Sequence, residues 1–260
     1  MKPKKRSPLR DKPLRYAGQS LDDLIQDKRS DIASWILAAV VYFVLTATAW
    51  FGYKNPSPRT LLVMTGAFGA FAIVTAVWAV YKVIVGYRDI ARLRLGRDGE
   101  KLVAEGLQDL IADGAAILND IQAKGFNLDH VVISRHGVFL IETKTYSKPV
   151  GQQSEVRFDE ENVYIGGRRV DRNPLKQARA SAKWLEDLLR ESTGRRFKVR
   201  PTIVFPGWFV ERMQGAKDVW VLNPKALPVF IKKEPIMLSD PDVHLVTFHL
   251  SRYVRSDLRK

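Results

Sequence analysis

Two stretches of this chain contain no charged side chain. Residues 35 to 53 read WILAAVVYFVLTATAWFGY, 19 residues, and residues 61 to 81 read LLVMTGAFGAFAIVTAVWAVY, 21 residues. As a helix, either one is long enough to cross the roughly 30 Å hydrocarbon core of a bilayer. The competing reading is a buried helical pair in a soluble protein, but two such runs are hard to cover in a domain this small. The connector KNPSPR is short and holds two prolines, so the runs are expected to form an antiparallel hairpin. Gly66, Gly69 and Ala70 would give the second helix a small-residue face for close contact with the first. Trp35, Trp50, Tyr53, Trp78 and Tyr81 lie near the ends of the runs, where amphipathic rings favour the membrane interface. The first run starts too far into the chain, and is too long, for a cleaved signal sequence.

The formal charge of +14 points to polyanions, either phosphate backbones or acidic lipid headgroups. The excess is spread over every segment, so it does not choose between them. Lys28 and Arg29 precede the first run, and Lys82, Arg88, Arg92, Arg94 and Arg97 follow the second, against only Lys54 and Arg59 in the connector. The positive-inside rule then places both termini in the cytoplasm. The expected organisation is a disordered basic cytoplasmic arm over 1–33, a transmembrane hairpin in contact with lipid over 34–85, a basic juxtamembrane linker over 86–95, and a soluble domain over 96–260.

That domain reads as α/β. GRDGEKLVAEGLQDLIADG sets Leu102, Val103, Leu107, Leu110 and Ile111 at helical spacing, with Gly114 closing the helix. Strands are expected at 115–121, 128–135, 138–145, 201–205 and 219–222, with a further hairpin around NVYIGGRRV. Asn173 and Pro174 resemble an N-cap and first-turn pair opening a helix to about Arg190, and a last helix is expected near 242–258. The absence of cysteine excludes disulfides, thiolate metal sites and a cysteine nucleophile. The four histidines, His130, His136, His244 and His249, show no zinc-site spacing. No phosphate-binding glycine loop is present.

Within NLDHVVISRHGVFLIETKTY, residues 127 to 146, Asp129, Glu142 and Lys144 stand at the outer ends of two apolar strands, where packing alone would favour β-branched residues. With His136 and Gly137 as a two-residue turn, Asp129 would face Lys144 and Val131 would face Glu142, leaving both acids and the lysine on one face. Neighbouring carboxylates of this kind suit Mg²⁺ or Mn²⁺, and an adjacent lysine can orient water or offset charge on a phosphoryl group. A set of salt bridges at a strand end is the alternative reading of the same residues. His130 alternates away from Asp129 and is expected to be structural.

The run GRDGEKLVAEGL, followed by ILND and then NLDHVVISRHGVFLIETK, resembles the nuclease-related domain NERD, a branch of the PD-(D/E)xK restriction-endonuclease-like superfamily. The resemblance is strongest over residues 96–146 and looser to about Phe205. It implies a restriction-endonuclease-like mixed sheet flanked by helices. It also implies that Asp129, Glu142 and the Thr143 carbonyl are ligands of Mg²⁺ or Mn²⁺, with Glu100 as a further acid, Lys144 as the catalytic lysine and Gln177 as an assisting residue.

Arg168, Arg169, Arg172, Lys176, Arg179 and Lys183 form a basic series that could follow a nucleic-acid backbone, or simply a solvated helix face. The first functional reading is a membrane-anchored, metal-dependent nuclease acting on DNA or RNA, with DNA favoured. The second is a membrane-tethered module that keeps the fold and binds nucleic acid or protein without chemistry. The third is a basic domain that chiefly binds anionic lipid.

Overall fold

A computed structural model of the 260-residue chain describes residues 13–52, 57–148, 155–212 and 218–257. The chain divides into two compact units, Ser20–Arg94 in one and residues 1–19 with Leu95–Lys260 in the other.

The first unit is built from helix α1, Gln19–Gly52, and the part of helix α2, Pro58–Gly106, that precedes Leu95. Ile25, Ile32 and Ile90 form a small buried cluster at one end of the pair. Beyond it the helices meet through rings: Trp35 and Trp78 lie edge to face at 4.4 Å, with Lys82 Nζ 5.4 Å from the Trp78 centroid, and Tyr42 meets Phe71 at 5.6 Å. The expected glycine face is not the contact. Gly66, Gly69 and Ala70 are exposed, and a Cβ at Gly66 or Gly69 would meet nothing within 4 Å. The half-buried stripe instead runs Met64, Phe68, Ala72, Thr75 and Ala79, about 100° or more of helix rotation away. Gly86 is the glycine on which close approach depends, since its Cβ would fall 2.8 Å from the Ile32 side chain.

Two expected boundaries also move. Residues 86–95 are helical within α2 rather than a linker, and residues 19–33 of the expected disordered arm belong to α1. Residues 13–18 are described as well, while residues 1–12 of that arm, and Tyr53 and Lys54, lie outside the described residues.

The second unit is a mixed α/β structure with two sheets. After α2 come the short helix α3, Gln108–Ala112, and strands β1, Ala116–Ala123, β2, Phe126–Ser134, and β3, Gly137–Thr143. Strands β4, Glu155–Phe158, β5, Val163–Ile165, and β6, Arg168–Arg169, lead into helix α4, Pro174–Thr193. Strands β7, Val199–Val204, β8, Phe209–Arg212, and β9, Trp220–Leu222, are followed by helices α5, Leu227–Lys233, and α6, Asp240–Asp257. The large sheet has the order β1-β2-β3-β7-β9, antiparallel through β3 and parallel from β3 to β9. The four-stranded sheet, β6-β5-β4-β8, was only half expected: the β5–β6 hairpin was legible from Gly166 and Gly167, both at positive φ, but β4 and β8 were not.

Helices cover both faces of the large sheet. Val131, Ile133, Val138 and Leu140 pack against Leu185 and Leu189 of α4 and Val246 and Leu250 of α6. Val132, Phe139 and Ile141 point the other way, against Val103, Leu107, Leu110 and Ile231. A strand buried on both faces needs a continuous apolar run, which explains why VVIS and VFLI show little alternation. Of the apolar residues at helical spacing, Val103, Leu107 and Leu110 are buried, while Leu102 and Ile111 are exposed.

The β2–β3 register differs from expectation by two residues. The ladder pairs Ser134 with Gly137 and His130 with Ile141, so Arg135 and His136 are the turn, and one further step sets Asp129 across from Glu142. A shift of two keeps every side chain on its expected face, whereas a shift of one would have reversed them all.

His130 faces the other layer and is fully buried, with Nδ1 2.9 Å from Asn119 Oδ1 and Nε2 without a partner. Since Asn119 Oδ1 can only accept, Nδ1 carries the proton and the ring is neutral. Burial lowers its pKa from 6.5 to about 3. The unfolded chain therefore binds a proton that the fold refuses, and this contribution to stability, complete above pH 6.5, is lost as pH falls towards 3. In denaturant melts, His130→Asn should be less stable than the parent at pH 7. That gap should narrow by up to about 1.4 kcal/mol per pH unit below pH 6.5.

Candidate active site

The outer ends of β2 and β3 bring Asp129, Glu142 and Lys144 to the face covered by α4. Glu142 is 5% exposed. Its Oε1 accepts from Lys144 Nζ at 2.7 Å and from Gln177 Nε2 at 2.7 Å, while Gln177 Oε1 accepts from Lys144 Nζ at 3.1 Å. Glutamate, lysine and glutamine thus close a three-membered ring of hydrogen bonds. Asp129 is held separately, its Oδ2 accepting from the Thr143 amide at 2.7 Å.

Gln177 arrives because α4 starts where it does. Asn173 caps the helix, accepting from the Leu175 and Lys176 amides, and Pro174 occupies the first turn. Leu175 and Ala178 anchor that turn in the small sheet's core with Val156, Phe158 and Phe205. Gln177 lies between them in sequence and reaches the ends of the large sheet.

Glu100 comes from α2. Gly99 beside it packs so closely on the segment after β3 that a Cβ would lie 2.0 Å from Thr145 Cγ2, so a side chain there would push the helix away. Glu100 is 9% exposed, and the backbone of Gly18 favours its charged form. Burial, with Asp120 and Glu142 nearby, raises its pKa from 4.5 to about 7. Burial also raises Asp129 well above the ordinary carboxylate value, helped by Glu142 and Glu100 and opposed by the Thr143 amide and Lys144. For Lys144 burial pulls downward, but the charge and hydrogen bond of Glu142 outweigh it and the net shift is upward, so the side chain stays an ammonium.

Asp120 is the acid that the sequence reading missed. It is 2% exposed, has a φ of 50° within β1, and pairs with Arg15, whose Nε lies 2.8 Å from Asp120 Oδ2. The available signal was a charged residue between Leu118 and Ile121, within the strand AILNDIQA. Thr143 contributes its amide to Asp129, and its hydroxyl is buried without a partner. Among the described residues, no three His, Asp or Glu side chains form a ready-made metal cluster.

The basic series is divided. Arg168, Arg169, Arg172, Lys176 and Lys183 are exposed. Arg179 is held by Asp218, with Nε and Nη2 at 2.7 and 3.0 Å from its two oxygens, and Lys183 contacts Asp187 at 3.2 Å. Lys198 and Arg200 join Arg179 and Lys183 along a groove of about 390 Å³ between α4 and β7, an extension that the sequence reading did not include. Trp208 is buried and donates from Nε1 to the Tyr146 carbonyl, so its ring is not offered for stacking.

The upward shift of Glu100 fixes a sign. Its protonated form is favoured by the fold, so this contribution is fully present below about pH 4.5 and is lost as pH rises through about 7. In chelator, the stability of Glu100→Gln relative to the parent should rise by up to roughly 3 kcal/mol between pH 4.5 and 7.5, measured by denaturant melts.

No curated protein matches the chain. Among solved structures, that of Pyrococcus furiosus SfsA in complex with Ca²⁺ aligns at 17% identity and a TM-score of 0.25, covering 63% of this chain and 54% of that one. The chain thus spans about half the length of that protein. The family model of the nuclease-related domain, NERD, matches residues 95–206. Glu100, Asp120, Asp129, Glu142, Lys144 and Gln177 all fall inside that span, so the acidic site lies within the stretch of the chain that matches a nuclease-related domain.

Proposed function

We propose that the chain is a divalent-metal-dependent phosphodiesterase of restriction-endonuclease-like fold, acting on DNA or RNA, with DNA the favoured substrate. The observation that carries this reading is the joining of buried Glu142, half-buried Lys144 and exposed Gln177 in one hydrogen-bonded ring beside Asp129. A merely structural ion pair has no need of the surrounding excess of carboxylates, which together with burial raise the pKa values of Glu100 and Asp129.

The donors fit Mg²⁺ or Mn²⁺. Glu142 Oε2 is buried with no partner, and Asp129 and Glu100 are acids whose charge lacks full compensation. Asp129, Glu142 and the Thr143 carbonyl would hold the ion, with Glu100 as a further acid, a hard-oxygen set of the kind these cations favour. The bound cation would supply Lewis-acid stabilisation of charge developing on the phosphate.

The remaining work belongs to the chain. Hydrolysis adds the hydroxyl of water to phosphorus and returns a proton to the departing sugar oxygen. The Lys144 ammonium, steadied by Glu142 and Gln177, is placed to orient that water as a donor and to offset charge at the reacting phosphoryl group. The Thr143 amide fixes Asp129, and the basic residues near α4 would hold the strand through its phosphates without choosing a sequence.

The same reading places the domain on a membrane. Large apolar side chains face outward along both helices of the first unit, with Leu37 63% exposed, Phe43 69% and Leu62 76%. We read α1 and the apolar part of α2 as two spans, with both termini and the nuclease-related segment on the cytoplasmic side. The chain has no cysteine of its own, so single reporters are clean. A membrane-impermeant thiol reagent should label Ser57→Cys in sealed cells, and Ser256→Cys only after permeabilisation. The reverse pattern overturns the orientation.

For the chemistry, the detergent-solubilised full chain should cleave DNA or RNA with Mg²⁺ and not in chelator. Glu142→Ala and Lys144→Ala should each lower the rate by about 10² to 10³ while binding persists. Undiminished cleavage in both variants removes the proposed site. Binding without cleavage by the unmodified chain would leave the non-catalytic module, and affinity for anionic vesicles alone would leave the lipid-binding reading.

A further inference from the structure

Residues 13–19 lie far in sequence from the acidic site and outside the matched segment, yet they pack against it within the same unit. Arg15, Ala17 and Gly18 are buried, while Pro13, Leu14 and Tyr16 are exposed. The Arg15 guanidinium, 9% exposed, pairs with Asp120. Three residues later the buried backbone of Gly18 favours the charged form of Glu100, and Lys101 Nζ lies 5.6 Å from the Tyr16 ring. Gly18 has a φ of 77°, and a Cβ there would stand 2.9 Å from Arg97 Cγ, so the turn excludes other residues.

Burying an arginine and an aspartate returns little net stability, because desolvation offsets their attraction. The pair is better explained by what it holds in place. Arg15 compensates a buried acid beside Glu100 and pins the segment whose Gly18 backbone bears on the Glu100 carboxylate. A carboxylate fixed in this way loses less freedom when it meets a cation.

We propose that Arg15 and Gly18 are positioning residues for the acidic site, and that docking of residues 13–19 and binding of a divalent cation there favour each other. The inference rests on the cation reading given above. Linkage requires reciprocity: whatever the docked segment adds to cation affinity, the cation adds to docking.

The test uses the detergent-solubilised full chain and Mn²⁺ alone. By calorimetric titration, Arg15→Gln and Gly18→Ala should bind Mn²⁺ about tenfold more weakly than the parent, the scale expected when a hydrogen bond supporting a ligand is lost. Arg15→Lys, which keeps the charge, should recover part of that loss. A readout that leaves Arg15 and Gly18 unchanged is thiol labelling of Ala17→Cys, which Mn²⁺ should slow. Should the parent bind Mn²⁺ while Arg15→Gln binds it equally well, or labelling ignore the ion, the inference fails and the cation reading stands. A parent that binds no Mn²⁺ overturns both.

Discussion

Four carboxylates gathered at one end of a sheet repel one another, and much of the surrounding structure serves to offset that repulsion. Glu100, Asp120, Asp129 and Glu142 come from a helix and three strands, and the groups that offset their charge differ. Asp120 has a guanidinium, Glu142 an ammonium and a side-chain amide, and Asp129 the Thr143 amide, while Glu100 has only the weaker influence of the Gly18 backbone and Lys144. The compensation is incomplete, which is why Glu100 and Asp129 remain displaced towards the protonated form. A purely structural cluster gains nothing from such an arrangement, whereas a site that receives a positive charge does.

The scaffold that tolerates this crowding is a sheet covered on both faces. Its central strands are largely apolar on both sides, and the acids of the site sit where α4 and the end of α2 meet the sheet. Alternation along β3 sends Leu140, Glu142 and then Lys144 to the α4 side, and Ile141, Thr143 and Thr145 to the α2 side. One strand end can therefore face Gln177 in one direction and the Gly99–Glu100 turn in the other.

Much of this was legible from the chain. The two charge-free runs announced two long helices, the Asn173–Pro174 pair opened α4, and Gly194, at a φ of 71°, closed it. Asp129, Glu142 and Lys144 were recognisable because ionisable residues at the ends of apolar strands need a reason beyond packing. The β2–β3 register was misjudged by two residues, since a turn of Arg135 and His136 carries no strong glycine signal, yet the shift preserved the faces on which the argument depended. The interhelical contact was misjudged more seriously. Small residues advertise close packing, but which side of a helix meets its neighbour depends on the rotation imposed by the Ile32–Gly86 and Trp35–Trp78 contacts.

By itself, the order of residues determined which segments are apolar enough to form long helices, where the core strands lie and which acids stand at their ends. These properties follow from local periodicity and side-chain chemistry. Only the tertiary structure decided that Asp120 joins the acidic group, that Gln177 reaches Glu142, and that Arg15 and Gly18 return to the site from the far end of the chain. Such contacts join residues about 20 to 105 positions apart, and a separation of that kind leaves no periodic trace in the sequence, because it is set by how the layers pack.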